Sequence, residues 1–257
     1  MSGYFNTFFF GIFPYIALAV FVVGSIIRFD REPYSWRAQS SQFLRRKQLI
    51  WGSVLFHAGI LFLFFGHFIG LLTPHFFYSY VITAENKAML AIVAGGTAGV
   101  ACFIGLTMLL HRRLFDSRIR KTSTVMDIAI LIILWLQLSL GLISVPYSLS
   151  HDDKSEVMLR ASEWAQRTLT FRIDGTADLI QGLEWPYQVH IILGLFIFLL
   201  FPFSRLVHIW SAPIWYLGRR GYQVVRTANP DHSGGQAQRP SPGSRPAETS
   251  RPTQPAE

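Results

Sequence analysis

Among 257 residues there is one cysteine, Cys102. That count excludes a disulfide framework and a thiolate metal cluster, and the CxxCH signature of covalent haem attachment is absent. Charge is scarce as well, with 15% of residues charged against 51% apolar. No glycine motif of the kind that cradles a nucleotide occurs, and no internal repeat is evident. The first apolar run, Phe5 to Ile27, has no basic residue before it and no small-residue cleavage site after it. It therefore reads as a retained helix and not as a secretory signal.

The chain does hold apolar runs of about twenty residues, each long enough to cross a bilayer as a helix. They are Phe5 to Ile27, Gln48 to Leu72, Ala88 to Leu110, Val125 to Val145 and Tyr187 to Trp210. The expected fold is an all-α integral membrane protein, a bundle of five transmembrane helices. The net charge of +8 does not point to nucleic acid, because the bases cluster beside the apolar runs. Arg28, Arg31, Arg37, Arg45, Arg46 and Lys47 follow the first run, and Arg112, Arg113, Arg118, Arg120 and Lys121 follow the third. By the positive-inside rule these loops are cytoplasmic, which puts the N-terminus outside and the C-terminus inside. From Asn229 on the chain is Pro, Gly, Ser, Gln and Arg. The expected organisation is one membrane domain over 1–226 and a disordered cytoplasmic tail over 227–257.

Within that frame several residues read as packing or capping groups. Cys102 is a small buried or lipid-facing side chain. Gly95 and Gly96 suit close approach to a neighbouring helix. Ser123 and Thr124 are candidate caps of the fourth helix, and Asp127 in its first turn has a structural role. Gln137, alone in mid-membrane, is expected to bond a neighbouring helix. Between the fourth and fifth runs Val157, Met158, Ala161, Trp164, Ala165 and Leu169 recur at helical spacing, which predicts a short helix on the membrane surface. Pro186 is expected to open the fifth helix.

Four of the eight histidines lie in only two of the runs, His57 and His67 in the second, His190 and His208 in the fifth. An imidazole at membrane depth is costly and marks function by default: it bonds a neighbouring helix, lines a proton path or binds a metal. Two histidines on each of two antiparallel helices favour two haems, with His57 paired to His208 and His67 to His190. Along a continuous helix His57 and His67 stand about 15 Å apart and His190 and His208 about 27 Å, the latter sharing a face. A kink at Pro202 is expected to absorb part of the mismatch. Gly59, Gly66, Gly70 and Gly194 flank the histidines and are expected to leave room for a flat macrocycle. Iron with two protein ligands has no open position for oxygen, so such haems would carry electrons. Arg112, Arg113 and Arg205 stand near the inner position and are candidates for propionates or for snorkelling to the interface. His75, His111, His151 and His232 are not assigned to metal.

The strings FHAGILFLFFGHFIGLLTPH, AGGTAGVACFIG, HRRLFDSRIRKTSTVMDI and LFPFSRLVHIW closely resemble the gamma subunit, a di-haem cytochrome b, of membrane-bound respiratory nitrate reductases. The likeness runs from about residue 5 to residue 226. It implies a five-helix subunit of the bacterial cytoplasmic membrane holding two haem b by bis-histidine ligation. His57 and His208 correspond to the inner ligands, and His67 and His190 to the outer ones. It further implies quinol oxidation near Gly66, His67, Gly70 and Lys87, with electrons passing to an iron–sulfur beta subunit and a molybdenum alpha subunit that reduces nitrate. Two rivals remain: the haem b subunit of a heterodisulfide or sulfite-type reductase complex, and a membrane anchor without haem.

Overall fold

The structure is a computed structural model, and it describes residues 2–31, 46–150 and 153–210. Most of the basic loop after the first run, His151, His232, the basic segment after Trp210 and the boundary between 1–226 and 227–257 lie outside the described residues. The described residues are helical, without strand. Five helices are long and apolar enough to span a membrane. We number them α1 (Gly3–Arg31), α2 (Arg46–Leu72), α3 (Ala84–Phe115), α4 (Val125–Ser150) and, after a shorter helix α5 (Lys154–Leu169), α6 (Trp185–Leu200).

Local chemistry sets several boundaries. The Thr83 hydroxyl accepts from Asn86 N–H and caps α3. At the start of α4, Thr124 N–H donates to the Asp127 carboxylate at 3.1 Å while Asp127 N–H donates to Thr124 Oγ1 at 3.2 Å. This is a reciprocal capping box, and it satisfies two donors that a helix start leaves free. Asp153 caps α5 by accepting from Ser155 N–H. Helix α6 starts one residue before Pro186, a position where the missing proline N–H costs nothing.

Helices α2 and α3 pack along their length, and glycine makes the approach possible. A Cβ added at Gly59 would stand 2.6 Å from Cys102 Cβ, and one at Gly105 2.5 Å from the Phe56 nitrogen. Cys102 is fully buried in that seam, its Sγ 3.6 Å from the Phe56 carbonyl. Gly95 and Gly96 are not packing glycines: a Cβ at either would meet nothing within 4 Å. Helix α6 packs on α4 and α1 instead of on α2, and the face of α2 that carries the histidines stays exposed.

The fifth span departs from expectation. It does not run as one kinked helix to Trp210: α6 ends at Leu200, and two 3-10 turns follow, Phe201–Phe203 and Arg205–Ile209, parted by an extended Ser204. Pro202 supplies no N–H and cannot continue the α-helix ladder. The carbonyls of Pro202 and Ser204 are taken by Arg28 of α1, at 2.6 and 2.8 Å. Gly24, one turn earlier on α1, admits the proline ring, since a Cβ there would stand 2.7 Å from it. His190 and His208 therefore lie on different pieces of backbone, and the shared helical face does not exist.

Helix α5 also differs from the expected surface helix. Its apolar stripe turns toward protein: Val157 is buried with Phe10, Ile180 and Leu183, and Trp164 packs beside them. Trp164 donates to the Phe10 carbonyl at 2.9 Å and Gln166 to the Leu71 carbonyl at 2.9 Å. The helix thus closes the end of the bundle where α2 stops and needs donors for its last carbonyls.

Candidate functional site

Two histidine pairs bridge the space between α2 and the fifth span. The ring centres of His57 and His208 are 6.3 Å apart, and those of His67 and His190 also 6.3 Å. The antiparallel pairing read from the sequence is the one the fold assembles. All four Nδ1 atoms face carbonyls: His57 that of Ser53 (2.8 Å), His67 that of Leu63 (2.8 Å), His190 that of Gln137 (3.1 Å) and His208 that of Arg205 (2.6 Å). A carbonyl only accepts, so each Nδ1 is the donor, and in a neutral ring with that bond Nε2 is the nitrogen left to bind a metal. Metal-bound histidines are oriented by this same bond.

A metal–imidazole bond is about 2 Å long, so two rings sharing one metal from opposite sides stand with centres about 6 Å apart. Both pairs match that spacing. Among the described residues no three His, Cys, Asp or Glu side chains converge on one point. A pair of imidazoles alone is too few ligands for a bare cation, but it suits a metal that already carries four equatorial nitrogens. The residues present fit a bis-histidine haem at each of two levels along α2.

The flanking glycines divide. A Cβ at Gly66 or Gly70 would meet nothing within 4 Å, so these two do leave open space beside His67. Gly59 is filled by Cys102, and at Gly194 the neighbour is the Gln137 carboxamide, 3.2 Å from an added Cβ. Neither makes room for a macrocycle. Gln137 does bond the neighbouring helix, donating to the His190 carbonyl at 3.0 Å.

Lys87 and Gly70 are brought together, the ammonium donating to the Gly70 carbonyl at 2.9 Å. The same ammonium lies 3.6 Å from the Tyr78 ring centre, a cation–π contact. Burial pushes the Tyr78 phenol up, which keeps the ring neutral beneath the cation. Tyr78 belongs to a short helical turn, His75–Tyr78, in the aromatic segment between α2 and α3. That one contact adds a residue to the candidate set which the sequence alone did not single out.

At the other end the arginines have protein partners. Asp127 pairs with Arg113 at 3.3 Å and with Arg205 at 2.8 Å, and its side chain is only 10% exposed. Arg112 is buried beside them. Arg205 thus joins the ion cluster by its side chain and His208 by its carbonyl. Asp127 has a structural role, as its place in the first turn suggested, but it anchors two cations as well as the helix start. Nothing in the sequence pattern marks Arg28 as the residue that closes the Pro202 break, because its partners are two backbone carbonyls far along the chain.

Comparison with known proteins agrees with this arrangement. The family model described as nitrate reductase gamma subunit matches residues 6–228. Respiratory nitrate reductase 1 gamma chain of Escherichia coli K12 is 50% identical over 221 residues, 86% of this chain and 97% of the relative. Respiratory nitrate reductase 2 gamma chain of the same organism is 47% identical, covering 88% and 99%, and the nitrate reductase gamma chain of Bacillus subtilis 168 is 39% identical, covering 84% and 96%. The family-model range reaches all five spans, and the three relatives are covered over 96–99% of their length. The chain belongs to the nitrate reductase gamma subunit family, as a membrane subunit of an oxidoreductase complex.

Proposed function

We propose that this subunit is a di-haem cytochrome b that oxidises quinol near the external face and delivers the electrons to the partner subunits that reduce nitrate. The observation that carries the reading is the pair of facing imidazoles, twice, at one spacing and in one tautomer. His57 and His208 would hold the inner haem b, His67 and His190 the outer. Bound there, haem would supply one-electron chemistry, and with a histidine from each helix as protein ligand it would suit electron transfer and not oxygen chemistry.

The rest is work for the chain itself. Gly66 and Gly70 leave open space beside His67, and a quinol headgroup would enter there, where the aromatic Thr73 to Tyr80 segment meets lipid. Lys87, held over Tyr78 and beside Gly70, has further N–H bonds to give and would donate one to a quinol oxygen. With the N-terminus outside and the C-terminus inside the cytoplasmic membrane, protons leave on the external side while electrons cross inward. The iron–sulfur beta subunit would receive them and pass them to the molybdenum alpha subunit.

Haem content tests the reading. The purified complex is expected to give a b-type reduced-minus-oxidised spectrum. Replacing His57 or His208 by alanine should leave about one haem of two by pyridine haemochrome, and replacing His67 or His190 should leave the other. A His57 variant that keeps both haems, or whose spectrum matches that of the His67 variant, would overturn the assignment; a complex without haem in this subunit would make it an anchor.

A further inference from the structure

Gln137 lies inside the span α4, where a polar side chain is costly, and beyond the helix's own backbone bonds its hydrogen-bond contacts are to His190. Its Nε2 donates to the His190 backbone carbonyl at 3.0 Å and lies 3.3 Å from His190 Nε2, while its own backbone carbonyl accepts from His190 Nδ1 at 3.1 Å. The carboxamide oxygen is buried with no hydrogen-bond partner. A residue kept only for packing would not carry that unmet acceptor, since an apolar side chain of equal length would fill the space without it. Two glycines shape the contact: a Cβ on Gly141 would stand 3.1 Å from His190 Cε1, and one on Gly194 3.2 Å from Gln137 Nε2.

We infer that Gln137 is a positioning residue that sets the reduction potential of the haem held by His67 and His190, an inference that rests on the haem reading above. Its main chain favours the His190 tautomer that keeps the proton on Nδ1 and off Nε2. Its carboxamide, tied to the His190 carbonyl, keeps the N–H end of its dipole beside that same nitrogen. Positive potential next to an axial ligand penalises the more highly charged oxidised iron, so the contact raises the potential. Gln137 makes these contacts at His190, whereas His57, His67 and His208 give Nδ1–H to carbonyls three or four residues back in their own segments. The effect is confined to one couple of two.

A redox titration of the assembled complex, followed in the visible haem bands, reads both couples. Gln137→Met keeps the length of the side chain and removes the donor. The couple that disappears in His190→Ala is expected to fall in potential, its oxidised-to-reduced ratio at a fixed ambient potential rising by up to tenfold, about 59 mV for one electron. The couple that disappears in His57→Ala should not move. Gly194→Ala keeps Gln137 but crowds its Nε2, and should shift the same couple in the same direction by less. Unmoved couples in both variants, or equal shifts of both couples, overturn the role of Gln137. If Gln137→Met loses a haem outright, Gly194→Ala decides alone. An unaltered complex lacking two b-type couples would instead overturn the haem reading beneath the inference.

Discussion

At the His67–His190 level both histidines stand in unbroken helix, near the ends of α2 and α6, with the Gln137 carboxamide on the His190 carbonyl and Lys87 on that of Gly70. At the His57–His208 level one of the two stands on a 3-10 turn beyond a break, and its surroundings are ionic: Arg28 on the broken backbone, and Asp127 between Arg113 and Arg205. The ring centres are equally spaced all the same, while the ring planes differ, 31° apart at the first level and 77° at the second. An intact helix places a side chain by its own ladder of bonds. A broken one leaves carbonyls open, and at membrane depth those need donors from elsewhere in the protein. Arginine suits that task because its guanidinium carries several donors, and Arg28 reaches both carbonyls from Nη1.

The sharpest way to break this comparison is Asp127→Ala. It leaves Arg113 and Arg205 buried without their anion, a change worth about 3–5 kcal/mol when a buried pair loses one partner. Thermal unfolding of the solubilised complex should drop accordingly. The haem of His57 and His208 should be lost first, because the Arg205 carbonyl orients His208. Equal loss at both levels would mean that the two ends are not held independently.

The histidines were legible in the sequence because polarity inside an apolar run stands out, and because two helices of opposite direction leave one sensible pairing. The end of α6 was not. Pro202 announces a disturbance, but whether it kinks a helix or ends it depends on who takes the freed carbonyls, and Arg28 is 174 residues from Pro202. The glycines were misjudged for a related reason. Gly59 and Gly70 look alike in sequence, and only the rotation of α2 decides that one faces Cys102 and the other open space. The apolar stripe of α5 likewise reads the same whether it meets lipid or protein; Phe10, brought up from the start of the chain, decides it.

A second substitution sharpens the contrast from the other end. Lys87→Met keeps an unbranched apolar side chain and removes the charge that lies over Tyr78. The loss of a charged hydrogen bond is worth about 1.5–3 kcal/mol, so quinol oxidation should fall by about one to two orders of magnitude. Nitrate reduction driven by an artificial dye that bypasses this subunit should persist, as should both haems. Unchanged quinol oxidation would leave Lys87 with only its bond to Gly70 and remove it from the quinol site.

The smallest effect is expected at Asp153, and it asks how far the closing helix α5 acts as one piece. The Asp153 carboxylate accepts from Ser155 Oγ at 2.7 Å and Ser155 N–H at 2.9 Å, and these bonds hold its carboxyl below the ordinary range. A folded-state value below the unfolded one means that the contribution is fully present above the unfolded value and is lost as pH falls through the folded one. At neutral pH the cap is therefore intact. The groups that reach α2 come later in the helix, Gln166 to Leu71 and, more distantly, Ser162 to Gly70. Asp153→Ala should speed amide exchange at Ser155 and Glu156, Asp153→Asn should restore protection because the amide oxygen still accepts, and neither should change quinol oxidation or haem content. A fall in quinol oxidation in the alanine variant would show that fraying the first turn reaches Gln166, and that α5 transmits strain from its cap to the end of α2.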